Sequence, residues 1–140
     1  MDLLFVDRPR HGDAQALARH LVASRRRALI PAHAYFEIVS AVLAERNNRK
    51  QPLTLVGKRD ALFPFETVVV SIDLNFVEEY LTAALAQGIV IDIGGSDMIF
   101  GAIALKHKLV LVTEDGRLAK RAAAARIVVS DTKTFVTRFA

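Results

Sequence analysis

The sequence predicts an α/β fold, a three-layer α/β/α sandwich around a parallel central sheet. Short apolar or β-branched runs at Ala28–Ile30, Glu66–Ile72, Ile89–Ile91, Leu109–Val112 and Ile127–Val129 alternate with segments of helical periodicity. That alternation implies βαβ crossovers, which put parallel strands in one sheet with helices on both faces. The 140 residues are 52% hydrophobic, enough for a sizeable core in one domain spanning residues 1–140.

Each element has its own signal. Ala14–Arg26 reads as a helix, with Leu17, Leu21 and Val22 on one face and His11-Gly12-Asp13 as its start. Ala28–Ile30 is a strand closed by Pro31. His33–Arg46 is a second helix whose apolar face is Phe36, Val39 and Leu43 with Ile38 and Val42, and polar Asn47–Gln51 connects onward. Between Pro52 and Pro64 the pattern supports a loop with a short helix near Asp60–Phe63. Glu66–Ile72 is a β-branched strand. Asn75–Gln87 is a helix carrying Phe76, Val77, Tyr80, Leu81 and Leu85, stopped by Gly88. The strand Ile89–Ile91 and a turn at Gly94-Gly95 lead to a helix over Asp97–Lys106. Leu109–Val112 is a buried-type strand, Leu118–Ala125 a short helix and Ile127–Val129 a final strand. The pattern of Thr132–Phe139 does not fix its type. No internal repeat or low-complexity tract interrupts the chain.

Composition narrows the function. No run reaches the roughly 18–20 uninterrupted apolar residues of a membrane span, and the first residues lack the basic start of a signal peptide. The sequence contains no cysteine, which excludes disulfides and thiolate metal sites and fits a reducing cytoplasm. The formal net charge is +4 and the isoelectric point about 9.8. Basic residues gather at Arg25–Arg27, at Arg46 with Arg49-Lys50, at Lys58-Arg59, and at Arg117 with Lys120-Arg121. Such clusters suit a polyanion; any one of them taken alone reads first as a solvated helix face or loop.

Three carboxylates carry the chemical signal. Glu37 sits mid-helix, and its neighbours at i−3, i+4 and i+7 are Ala34, Ala41 and Ala44, a stripe that admits a close approach; the alternative is an exposed glutamate. Asp97 follows Gly-Gly-Ser at a helix start, with Gly101 one turn on; the alternative is favourable placement on the helix dipole, with Ser96 as cap. Asp115 ends Leu109–Gly116, either capping the following helix or standing beyond the carboxyl end of a strand, where open α/β sheets bind ligands. Thr113 can orient the acids or a water through its hydroxyl. Glu114 and Asp92 read as solvated acids. Carboxylates gathered there make an oxygen cup for a hard divalent cation, and crowding without the ion raises a carboxyl pKa. The histidines His11, His20, His33 and His107 show no metal-ligand spacing and read as surface or capping residues. The sequence contains no glycine-rich phosphate loop and no GxSxG.

In this order, Glu37 in a helix after a short strand, then Gly95-Ser96-Asp97 with Ala102 and Ala104, then Leu111-Val112-Thr113-Glu114-Asp115, the chain resembles a PIN domain, over nearly its whole length. The resemblance implies a Mg²⁺- or Mn²⁺-dependent endoribonuclease of the VapC toxin type, with Asp97, Glu37 and Asp115 as metal ligands, dimeric, and held inactive by an antitoxin. In that family the first strand ends in an aspartate. The run Asp2–Phe5 matches the stretch after that acid, so the expectation is that Met1 is an internal methionine of a longer frame or that the N-terminus has been lost, with marginal stability as the consequence. The rival expectation makes Leu3–Val6 the first strand and Asp7 its acid. Two other readings remain: a PIN-like module that binds RNA or antitoxin without cutting, and a receiver-like phosphoacceptor, whose paired acids and lysine are not found in the sequence.

Overall fold

The computed structural model describes residues 7, 9–52, 62–86 and 97–139. The predicted strand Ile89–Ile91, the Gly94-Gly95 turn, Gly88, and the first half of the expected helix near Asp60–Phe63 lie outside them. The chain divides into two compact units, residues up to Val70 and residues Ser71–Phe139.

The first unit contains α1 (His11–Ala23), β1 (Ala28–Pro31), α2 (Ala32–Asn48) and β2 (Thr67–Val70). β1 and β2 pair in parallel, Ala28 opposite Thr67 and Pro31 opposite Val70, as the βαβ pattern requires. Pro31 ends β1 with φ −60° and ψ 144° and serves as the N-cap position of α2, a conformation its ring already favours. The predicted strand Glu66–Ile72 is shortened at both ends, although the Glu66 carbonyl still accepts from the Ala28 amide at 3.0 Å.

Helix α1 starts and ends three residues earlier than its apolar pattern predicts. Arg25 takes φ 52°, its amide bonds the Val22 carbonyl at 3.2 Å, and the Arg26 amide bonds the Leu21 carbonyl at 3.1 Å. This is a Schellman closure. The same closure ends α2 at Lys50, with the Gln51 amide on the Arg46 carbonyl at 2.9 Å. In α2 the buried stripe is Ala34 and Val42, with Tyr35, Ile38, Val39 and Phe63 packed around Val42 and Leu62. The predicted apolar face is therefore partly wrong: Phe36 is 70% exposed and Leu43 37%, because the buried side is centred on the i, i+4, i+8 row Ala34–Ile38–Val42.

The second unit contains α3 (Leu74–Ala86), α4 (Asp97–His107), β3 (Leu111–Val112), α5 (Gly116–Ala124), β4 (Val129–Ser130) and α6 (Thr132–Arg138). β3 and β4 are parallel, with Leu111 opposite Val129. Asp73 caps α3 by accepting from the Phe76 amide at 2.8 Å. Near its middle, Phe76 stacks on Tyr80 at 4.0 Å. α3 meets α4 through Glu79 and Lys106 at 2.8 Å, while the Tyr80 hydroxyl lies 3.4 Å from His107 Nε2. Lys108 and Arg126 close α4 and α5 in the same way as Arg25 closes α1, with φ of 51° and 60°. The core gathers Ala104, Leu111, Leu118, Ala122, Ala125 and Ile127, with Met98, Phe100, Leu105 and Val129 against it. The undetermined ending is a helix: Asp131 caps α6, and Phe135 is buried beneath it. Among the described residues, no helix is long and apolar enough to cross a membrane.

Candidate active site at the carboxyl ends of β3 and β4

β3 stops at Val112, yet the ladder runs one bond further, from the Thr113 amide to the Ser130 carbonyl at 3.0 Å. From there the chain reverses into α5. Thr113 Oγ1 accepts from the Asp115 amide at 3.1 Å. Asp115 Oδ1 then accepts from the amides of Arg117 at 2.8 Å and Leu118 at 3.1 Å. α5 accordingly begins at Gly116 rather than at the predicted Leu118. Thr113 and Asp115 are thus joined directly, the threonine fixing the backbone of the acid that caps the helix.

The amides of Leu118 and Arg117 hold the Asp115 carboxyl below its ordinary value, with Arg117 and Arg121 adding to the effect. Backbone donors come first in setting that direction and the cations add to it, so the upward push that crowded acids would give is not what acts on Asp115 here. Only Oδ1 is used in the cap. Among the described residues Oδ2 accepts no hydrogen bond, so an ionised oxygen is left facing solvent.

Because β3 and β4 run in parallel, the turn after β4 lies beside this one. Asp131 Oδ1 accepts from the Thr134 amide and Oδ2 from the Thr134 hydroxyl, both at 2.7 Å. These bonds hold its carboxyl low. Glu114 reaches across to accept from the Thr132 amide at 2.9 Å; it is exposed, as predicted, but engaged. Asp131 is the acid that sequence reasoning missed. Its signal was present, since Val129-Ser130-Asp131-Thr132 repeats the strand-then-acid pattern of Val112-Thr113-Glu114-Asp115.

Asp97 opens α4 and is half-buried. Met98 and Phe100, just beyond it, pack on the cluster that holds Leu118 and Ala122 of α5, and Gly101 is buried one turn on. Glu37 belongs to the other unit. It is exposed on α2, with Ala34 buried, Ala41 half-buried and Ala44 exposed along the predicted stripe. His20 and His33 are half-buried rather than on the surface.

Asp7 has another role. Both of its oxygens accept from Arg49 Nη2, at 2.9 and 2.8 Å, and Arg49 also holds Glu45 at 2.7 Å. Glu45 lies just over two turns from Glu37, about 12 Å along the helix axis. Asp7 is thus engaged, through Arg49, at the Glu45 end of α2.

A family model for the PIN domain matches residues 2–124. The chain belongs to the PIN-domain family. The matched stretch takes in Glu37, Asp97, Thr113 and Asp115 and ends with the last residue of α5. The α/β elements with their parallel strands are those of a PIN-like fold, and the family is nuclease-like in character. No curated protein and no solved structure matches the chain. PIN domains typically bind a divalent metal. Among the described residues of this one, no group of three or more histidines, aspartates or glutamates is assembled to hold an ion; the predicted set draws Glu37 from one unit and Asp97 and Asp115 from the other. The donor chemistry nevertheless suits the group. Asp115 is an ionised carboxylate with one oxygen left over from its cap, the hard ligand that Mg²⁺ and Mn²⁺ prefer.

Proposed function

We propose that the chain is a metal-dependent endoribonuclease that hydrolyses RNA phosphodiesters. The observation carrying this reading is Asp115 within the PIN match, held ionised and anchored to Thr113 with Oδ2 left over. Asp97, Asp115 and Glu37 would hold Mg²⁺ or Mn²⁺. Such an ion supplies Lewis acidity that activates water and offsets charge on the scissile phosphate. The protein's own contribution is positioning. The Thr113 hydroxyl and the α5 amides fix Asp115, so its free oxygen is presented without reorganisation. Asp97, on the first turn of α4, is held by the packing of Met98 and Phe100.

The finer reading is a VapC-type toxin acting in the cytoplasm as a homodimer and neutralised by an antitoxin protein. The motifs of the resemblance support it. The exposed Phe36 and Leu43 on one side of α2 offer apolar surface for self-association.

A second reading, a PIN-like module that binds RNA or antitoxin without cutting, is favoured by the commitment of Asp7 to Arg49. One assay separates the two. End-labelled single-stranded RNA is incubated with the protein in Mn²⁺, in Mg²⁺ and in EDTA, beside Asp97→Asn. Divalent-dependent cleavage lost in Asp97→Asn supports the nuclease. Cleavage unchanged in Asp97→Asn removes the site assignment, and binding without cleavage by the parent leaves the module.

A further inference from the structure

Helix α5 carries Arg117, Lys120 and Arg121 and no acidic residue. At 100° per residue the three cations fall within an arc of about 100°. All three are exposed, while Leu118 and Ala122 of the same helix are buried in the core cluster. Among the described residues none of the three makes an ion pair or side-chain hydrogen bond. Other cations in the chain do find carboxylates: Arg27 pairs with Glu66, Arg49 with Asp7 and Glu45, and Lys106 with Glu79. Helix stability accounts for Arg121, which sits in the last turn where the macrodipole favours a cation. It does not account for Arg117, which stands in the first turn, where the dipole opposes it. The row starts next to Asp115, whose carboxyl Arg117 and Arg121 help to keep ionised.

We infer that this face of α5 is a phosphate track that seats the backbone of a single-stranded nucleic acid and leads it to Asp115. The inference rests on the ribonuclease reading and adds which surface holds the substrate. Arg117 and Arg121 are one helical turn apart, about 6 Å along the axis, so they can meet successive phosphates of an extended strand. Contacts of this kind position a strand without reading its bases. The track therefore serves RNA and single-stranded DNA of the same sequence alike, and the choice of RNA lies elsewhere.

The test compares three full-length proteins: the parent, Arg117→Gln/Lys120→Gln/Arg121→Gln, and a control that removes equal charge from the same unit, Arg126→Gln/Lys133→Gln/Arg138→Gln. Fluorescence polarisation of a labelled single-stranded RNA is followed against salt in EDTA, with the matching DNA strand as a second arm. Circular dichroism melts confirm that each variant is folded. Each phosphate contact contributes about −0.7 to the slope of log K against log salt for a single strand. Loss of the α5 row should therefore flatten the slope by about 2 with both strands, while the control stays within about 0.5 of the parent. Equal losses in both variants would reduce the effect to diffuse net charge and overturn the track. An unchanged slope in the α5 variant of a parent that binds and cleaves RNA would overturn the track and leave the ribonuclease reading standing. A folded parent that neither binds nor cleaves RNA would end that reading and the track with it.

Discussion

Thr113 and Asp115 hold each other in place: the amide of the aspartate donates to the threonine hydroxyl oxygen at 3.1 Å, and the aspartate carboxylate closes the first turn of α5. The acid that would serve chemistry is thus also the acid that starts a helix. The two roles can be separated, because asparagine caps a helix about as well as aspartate but carries no charge. Asp115→Asn should melt close to the parent and lose divalent-dependent cleavage by roughly a hundredfold or more. Asp115→Ala should lose cleavage and also melt lower. A thermal scan beside the RNA assay checks both, and an Asp115→Asn protein that cleaves normally would restrict Asp115 to capping.

Acid should loosen the second unit first. Asp115 and Asp131 both have carboxyls held below their ordinary value in the folded chain, chiefly by the backbone amides of Leu118 and Thr134 respectively. A depressed folded pKa contributes stability that is complete above the unfolded value and is lost as pH falls through the folded one. The melting temperature should therefore be flat from about pH 7 to pH 5 in this respect and decline below about pH 4. Asp115→Asn/Asp131→Asn should show a shallower decline. An identical acid limb in that double variant would assign the loss to other groups.

Among the described residues, four helices end on a basic residue in the left-handed region: Arg25, Lys50, Lys108 and Arg126, with φ between 51° and 60°. A side chain there costs about 1–2 kcal/mol relative to the right-handed form, and glycine removes that cost at some expense in unfolded-state entropy. Arg25→Gly and Lys108→Gly should each stabilise by about 0.5–1 kcal/mol. Chemical denaturation would read this as a higher midpoint at constant slope.

The small core of the first unit depends on Val42 and Leu62, at 0% and 2% exposure. Leu62→Ala should cost about 2–4 kcal/mol and Val42→Ala about 2 kcal/mol. Phe36→Ala, at 70% exposure, should cost under about 0.5 kcal/mol in a monomer. A large loss that depended on protein concentration would instead mark Phe36 as part of a self-association surface.

Asp7→Asn should leave the cleavage rate within about twofold of the parent, since its carboxylate serves Arg49. A drop as deep as that of Asp97→Asn would return Asp7 to the catalytic set.

The parallel sense of the two described strand pairs was legible because β-branched runs between amphipathic segments leave few topologies open. Helix ends were less so. Nothing in Ser24-Arg25-Arg26 announces a left-handed residue, and a glycine signal that would mark the stop is absent there. The α2 face was read only in part: Ile38, Val39 and Val42 do pack inward, whereas Phe36 and Leu43 fit helical periodicity equally well and stay exposed, because the buried row runs through Ala34, Ile38 and Val42. At the candidate site, Asp97, Thr113 and Asp115 were singled out as candidates from strand–helix junctions. Asp131 escaped because Thr132–Phe139 has too few apolar residues to declare a helix, and without a helix a cap cannot be recognised.

Two helices, α5 and α6, start side by side where the paired strands β3 and β4 finish, so their positive poles converge on one rim of the unit. The amides at those poles, Leu118 and Arg117 for Asp115 and Thr134 for Asp131, hold both carboxyls below their ordinary values. A divalent ion reaching Asp115 would displace solvent but no proton, and its occupancy between about pH 6 and 8 would then follow ion concentration rather than acidity.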